Sequence, residues 1–424
     1  MLRSLALLGA FTLALGAAVP SARAADPLPR ALPEEVGMSS ERLGRLEAAM
    51  RAEVEAGRMP GAVVAIARRG RLVHYQAYGY LDRAAGTPMP LDAIFAMASM
   101  TKPITGVAAM MLLEEGRLAL GDPAATYLPP LAAMRVAAPD QGAEGTATVP
   151  VAQPVTVQDL MRHTSGIPYG SDRSAAYRTF PPSSIGSGTG YSGADFIRKI
   201  GEATLVSQPG TTWEYGLSVD VLGRLVEEVS GQNLGAFMEE RIFRPLGMAD
   251  TGFTVPAEKA GRVARPLPQD PATGRPQTVP DLSKPLGFEC GGGCGRTTAA
   301  DYIRFAQMLL NRGTLEGRRI LSPRAVEAMV TDRLPADARG SVGVTDPTKA
   351  GYGFGLTVAV RRDARGTNLL GNPGDYSWSG SYGTHFWVDP KEEMAVVLMT
   401  LTPGETRLRY RRLLNALAYQ AIVE

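Results

Sequence analysis

The sequence predicts an α+β fold, an antiparallel sheet flanked by helices with an all-helical lobe inserted, and three observations point to it. Runs with strand character stand near both ends of the chain, at 62–67 and 72–75 and again at 355–360, 380–388 and 394–401. The middle is dominated by stretches of helical character at 157–161, 193–200, 218–230, 234–242 and 299–310. A strongly apolar helix opens near Ser99. Together they give one unit over 25–424, with an α/β lobe from about 35–105 and 300–424, a helical lobe over about 106–299, and no internal repeat.

At the start of the chain, Met1-Leu2-Arg3, an apolar run over 5–19 and the small-x-small Ala22-Arg23-Ala24 predict a signal peptide over 1–24. The run is short for a bilayer span, and no later stretch is long and apolar enough for one. The mature chain is therefore expected to be secreted, to the periplasm, without a membrane span. No cysteine near Ala24 suggests a lipid anchor.

Ser39 or Ser40 caps a helix in which Leu43, Leu46, Ala49 and Met50 recur at helical spacing as far as Gly57. Arg69-Gly70 is a plausible hairpin turn between the first two strands. In the helix from Ser99, Ile104, Val107, Ala108, Met111 and Leu112 keep one face, and Gly116 closes it. Ala109, Met110 and Leu113 add apolar groups elsewhere, so burial on all sides is expected. The Ser/Gly-rich 181–193 and Pro-rich 256–285 read as ordered rims or flaps, and a last helix runs over 408–422.

Apolar residues at 45% and charged residues at 20% of 424 describe a chain with a real core and exclude general disorder. The formal charge is +2; without Arg3 and Arg23 the bases and acids balance at 42 each. Nothing in that balance calls for nucleic acid or an anionic membrane as partner. Oligomeric state is left open. Cys290 and Cys294, in Cys-Gly-Gly-Gly-Cys, form either a disulfide, which export would permit, or two buried thiols. The three histidines, His74, His163 and His385, are too scattered to complete a metal site with them, so no metal and no cofactor are expected.

Chemistry is concentrated in Ser99-Met100-Thr101-Lys102. Residues three apart at a helix start share a face, and the helix N-terminus favours a developing alkoxide. A serine hydroxyl needs a neighbouring base, and a desolvated lysine with a lowered pKa can serve. An unpaired lysine opening an almost wholly apolar helix is unusual. Rival serine chemistry is weakly supported. Gly216-Leu217-Ser218-Val219-Asp220 fails the Gly-x-Ser-x-Gly elbow at its last place, and no histidine stands in a triad-like context.

Ser99-x-x-Lys102 at the head of a buried helix resembles the serine β-lactamases and penicillin-binding proteins. Four longer stretches are similar to the class C β-lactamase and family VIII carboxylesterase branch. They are Leu160-Met161-Arg162-His163-Thr164-Ser165-Gly166, Gln208-Pro209-Gly210-Thr211-Thr212-Trp213-Glu214-Tyr215, Pro245-Leu246-Gly247-Met248 and Phe386-Trp387-Val388-Asp389-Pro390. The resemblance runs from about Met38 to the C-terminus and implies the β-lactamase/transpeptidase-like fold. It also assigns Tyr215 as a second base, in a Tyr-x-Asn motif whose Asn is here Leu217. The lactamase Lys-Thr-Gly position falls on Trp378-Ser379-Gly380, and the oxyanion hole on the backbone N–H groups of Ser99 and Ser381. Two such donors are worth about 3 kcal/mol each.

Leu217 and Trp378 remove an amide and a cation that a β-lactam or peptide carboxylate would use, and with Gly380 they suit a neutral small-molecule ester. The expected function is ester hydrolysis, with short acyl chains, through a Ser99 acyl-enzyme. The alternatives are a β-lactamase, a D-Ala-D-Ala carboxypeptidase or an acyltransferase on the same nucleophile.

Overall fold

The computed structural model describes residues 26–139, 143–363 and 365–424; the signal peptide read over 1–24 lies outside the described residues. Strands β1 (Gly61–Arg68) and β2 (Arg71–Asp82) are joined by Arg69 and Gly70, whose φ angles of 50° and 73° make the primed two-residue turn that matches strand twist. β3 (Thr87–Pro88) adds an edge. From the other end of the chain come β4 (Tyr352–Phe354), β5 (Ala359–Arg361), β6 (Tyr376–Ser379), β7 (His385–Asp389) and β8 (Met394–Thr400). The eight form one sheet in the order β4-β5-β6-β7-β8-β1-β2-β3, every pair antiparallel. The two ends of the chain meet where β1 lies beside β8, in register from Ala62 opposite Thr400 to Arg68 opposite Met394.

Both central strands are continuous apolar runs because both faces are covered. Val63, Ala65 and Ala67, with Ala395, Val397 and Met399, enter one core; Ala62, Val64 and Ile66, with Met394, Val396 and Leu398, enter the other. Five helices build the layers around the sheet and the site: α1 (Ser40–Glu55), α2 (Thr101–Glu114), α3 (Ser218–Ser230), α4 (Ala299–Leu310) and α5 (Thr406–Tyr419). α1 and α5 close the second core through Leu46, Met50, Tyr410 and Leu414. α4 lies across β1 and β8 on the other face, and α2 packs on α3. Ser39 caps α1 by accepting from the Arg42 N–H. All of α2 from Thr101 to Leu112 is buried, so the burial read from its sequence holds on every face.

Four readings are corrected. Of the strand expected over 355–360, only Ala359 and Val360 are strand, in β5; 355–358 is a hairpin corner, because the N–H groups of Leu356 and Thr357 donate to Met329 and Met161 outside the sheet (2.9 Å each). The run over 380–388 turns at 380–384 before β7 begins, with the Gly380 N–H donating to Thr384 O at 2.8 Å. The helix expected over 234–242 is α-helical only for Leu234–Met238 and continues as a π turn, Glu239–Phe243. The segment 181–193, read as loop, contains the short helix Ser184–Gly190. No helix of the described residues is long and apolar enough to cross a membrane.

Candidate active site

Ser99 lies in a short 3-10 turn, Ala98–Met100, that runs directly into α2. Ala98 holds the left-handed φ of 46°, a conformation costing a residue with a Cβ about 1–2 kcal/mol. Its neighbours pin the turn. Met97 N–H donates to Gly295 O at 2.9 Å, and Thr101 Oγ1 donates to Ala98 O at 2.7 Å. One turn on, the fully buried Lys102 points back: Nζ stands 3.4 Å from Ser99 Oγ, 3.3 Å from the Tyr169 hydroxyl and 2.7 Å from Gly292 O. The Tyr215 ring packs against it, with Nζ 4.6 Å from the ring centroid.

Burial presses the Lys102 ammonium toward the neutral form, but Tyr169, Tyr215 and Asp220 act in the opposite sense and prevail, so its pKa is raised. This differs from the lowered pKa expected of a lysine desolvated beside serine. The physical reason is that desolvation does not act alone here. Oxygens surround Nζ and favour its charged form.

The oxygens around Lys102 form a closed circuit that the sequence did not reveal. Tyr169 OH lies 3.1 Å from Ser184 Oγ, and Ser184 Oγ donates to Asp220 Oδ2 at 2.7 Å. Asp220 Oδ1 accepts the Gly292 N–H at 2.9 Å, and the Gly292 carbonyl returns to Lys102. Asp220 is fully buried and burial raises its pKa. The only sequence signal was an acid in the first turn of α3, which reads as an ordinary helix-start charge.

The opposite wall comes from the end of β6. A Cβ on Gly380 would collide with Met97 O and Thr384 Oγ1, so only glycine lets this turn reach the Ser99 turn. Thr384 Oγ1 donates to Met97 O at 3.0 Å, and the buried Arg411 of α5 donates to Gly380 O at 2.7 Å and to Asp346 Oδ2 at 2.8 Å. The N–H groups of Ser99 and Ser381 make no backbone hydrogen bond among the described residues. Two cavities of about 80 and 180 Å³ meet at Ser99, Tyr215 and Ser381. Trp378 lines the smaller while packing on Tyr215, ring centroids 5.4 Å apart.

Leu217 is not brought to the site. It is fully buried in the core beneath the start of α3 and lines neither cavity, so the structure does not give it the substrate contact expected for it. Cys290 and Cys294 are joined through their sulfurs. None of the three histidines bonds to Ser99. His74 pairs with Tyr78 OH at 2.9 Å, His385 Nδ1 meets Ser379 Oγ at 2.9 Å, and His163 packs on the Tyr215 ring at 4.6 Å.

Comparison with known proteins gives this geometry its setting. The family model described as Beta-lactamase matches residues 46–420. The chain belongs to the β-lactamase family. Within that serine β-lactamase and penicillin-binding-protein-like superfamily it is 36% identical over 363 residues to Protein Rv1367c of Mycobacterium tuberculosis, covering 83% of this chain and 88% of that one. It is 30% identical over 383 residues to Esterase EstB of Burkholderia gladioli, covering 85% and 91%. Among solved structures, EstCE1, "a hydrolase with promiscuous acyltransferase activity", superposes with a TM-score of 0.74 at 25% identity, covering 89% and 98%. The β-lactamase/transpeptidase-like fold and the resemblance to this branch, both read from the motifs, are borne out.

Proposed function

We propose that this β-lactamase-family protein is an exported carboxylesterase that works through an acyl-enzyme on Ser99. The observation that carries the reading is the fully buried Lys102 with Nζ 3.4 Å from Ser99 Oγ and the Tyr215 ring face against it. Ser99 Oγ gives its proton to the Tyr215 oxygen, which acts in this step as the phenolate beside the Lys102 ammonium, as Ser99 Oγ bonds to the ester carbonyl carbon. The carbonyl oxygen takes the negative charge, facing the N–H groups of Ser99 and Ser381. As the tetrahedral centre collapses, the bond to the alkoxide breaks and the Tyr215 hydroxyl protonates it, so the alcohol leaves neutral. Water then repeats the two steps and frees the acid, restoring Ser99 and the Tyr215 phenolate. The raised Lys102 pKa supports an ammonium that stays charged and holds Tyr215 as the group that moves protons.

The small cavities at Ser99 support short acyl chains. Trp378, an indole where a lactamase of the branch has lysine, offers the substrate an apolar wall, with Arg407 and Arg411 lining the same cavity. A second reading, transfer of the acyl group to an alcohol, has its own support in a groove of about 510 Å³ that shares Tyr169 and Tyr215 with the cavity at Ser99 and is also lined by Arg173, Trp213 and Glu214. An alcohol held there would meet the acyl-enzyme in place of water.

The test is the mature chain beside Ser99→Ala on a p-nitrophenyl short-chain ester and a chromogenic cephalosporin. Ester turnover that disappears in the variant, with little cephalosporin cleavage, is the expected result. Dominant cephalosporin turnover would put the lactamase alternative first. Faster loss of ester when a simple alcohol is added, with the transesterified product formed, would favour the acyltransferase.

A further inference from the structure

We infer that the Cys290–Cys294 disulfide is a positioning device for the Lys102 ammonium. The inference rests on the ester-hydrolase reading above and names what sets one of its groups in place. The shortest hydrogen bond of Lys102, 2.7 Å, goes to the carbonyl of Gly292, the middle residue of the ring that the disulfide closes.

That ring is wedged between α2 and α3 and is glycine where it touches them. A Cβ on Gly291 would come within 2.9 Å of both Thr105 Cγ2 and Val219 O, one on Gly293 within 2.9 Å of Ser184 Cβ, and one on Gly292 would collide with Asp220. Three consecutive glycines admit many backbone conformations, so a carbonyl among them is poorly held by the chain alone. Hydrogen bonds restrain it. Asp220 Oδ1 accepts the Gly292 N–H at 2.9 Å, and Thr105 Oγ1 donates to Gly291 O at 2.8 Å. Within the ring, Cys290 O accepts the N–H groups of Gly293 at 3.2 Å and Cys294 at 3.1 Å. The disulfide joins the same two ends covalently and removes most of the alternatives these bonds leave. Its sulfurs also support the circuit from outside. They lie where a Cβ on Gly188 would stand 2.9 Å from each, so the helix Ser184–Gly190, which carries Ser184, rests on them.

Without the disulfide only the hydrogen bonds and packing hold the three glycines, and the Gly292 carbonyl keeps its direction less tightly. Lys102 keeps its other neighbours, Tyr169, Tyr215, Asp220 and the buried His163, but loses its best-formed bond. An ammonium displaced by a fraction of an ångström still sits in the site, which lowers the rate of proton transfer and leaves ester binding intact.

The experiment is Cys290→Ala/Cys294→Ala on the mature chain, assayed on a p-nitrophenyl short-chain ester beside wild type and Ser99→Ala, with circular dichroism to establish folding. The expected result is a kcat lower by about ten-fold with KM within about two-fold of wild type. A carbonyl accepting from the ammonium favours its charged form, so loosening it also moves the high-pH limb of kcat to lower pH. A folded variant with wild-type kcat and pH profile would overturn the inference. So would an equal loss in KM, which a general loosening of the pocket would give. Should the alanine pair not fold, Cys290→Val/Cys294→Ala refills the sulfur volume and carries the same test. Failure of both pairs to fold would make the ring a structural staple and overturn the inference too. If Ser99→Ala matches wild type, the hydrolase reading itself fails, whatever the cysteine variants do.

Discussion

Lys102→Met is expected to lower kcat/KM for a short-chain ester by about 10³-fold and to lower the thermal midpoint by only a few degrees. The two effects separate because the side chain is fully buried at the head of an apolar helix. Methionine of similar length fills the space and removes the desolvation of the ammonium, but it also removes the partners' hold on the charge, which outweighs that desolvation in the raised pKa of Lys102. The Gly292 carbonyl is left without its 2.7 Å donor at about 1–3 kcal/mol. The stability terms are partly offsetting. The catalytic terms are not, since Ser99 and Tyr215 both lose the charge that couples them. Initial rates with a thermal melt on the same sample check both halves. A variant of full activity would remove Lys102 from the mechanism.

Gly380→Val carries the next largest effect, a fall in kcat of about 10²–10³-fold with KM little changed. The added carbons cannot occupy the contact between Gly380 and Met97 O, so the turn after β6 must retreat from the turn that holds Ser99. On the proposed mechanism, the Ser99 and Ser381 N–H groups would then no longer converge on the oxyanion. Arg411 still anchors the Gly380 carbonyl from α5, so the retreat is confined to the end of the strand. Steady-state kinetics on the neutral ester measure the split. A rise in KM alone would mean the turn shapes the pocket without serving the oxyanion.

How much of this was legible depends on where each partner lies in the chain. Ser99 and Lys102 are three residues apart, so helical spacing alone placed them together. Tyr215 was reached only through the family resemblance, carried by the Gln-Pro-Gly-Thr-Thr-Trp-Glu stretch before it. The circuit through Tyr169, Ser184, Asp220 and Gly292 draws one group from each of four separate segments, and no spacing rule joins them. For the same reason the lysine pKa was expected to fall: its desolvation is visible in an apolar helix, whereas the oxygens that oppose it arrive from elsewhere.

The sheet was legible from the continuous apolar runs of β1 and β8, which both faces bury. Its corners were not. The breaks at 355–358 and 380–384 depend on backbone groups that bond outside the sheet or within a tight turn. Leu217 shows the complementary error. Motif position assigned it to the substrate, but a leucine at the start of a buried helix turns into the core, and there it is fully buried.

The most direct test of the central claim is the intact mass of the mature chain quenched during turnover of a p-nitrophenyl short-chain ester, with peptide mapping of any adduct. The expected result is one acyl group per chain, carried on Ser99 and absent from Ser99→Ala. An enzyme that turns over ester with no adduct at Ser99, or one that is acylated equally in the variant, would contradict it.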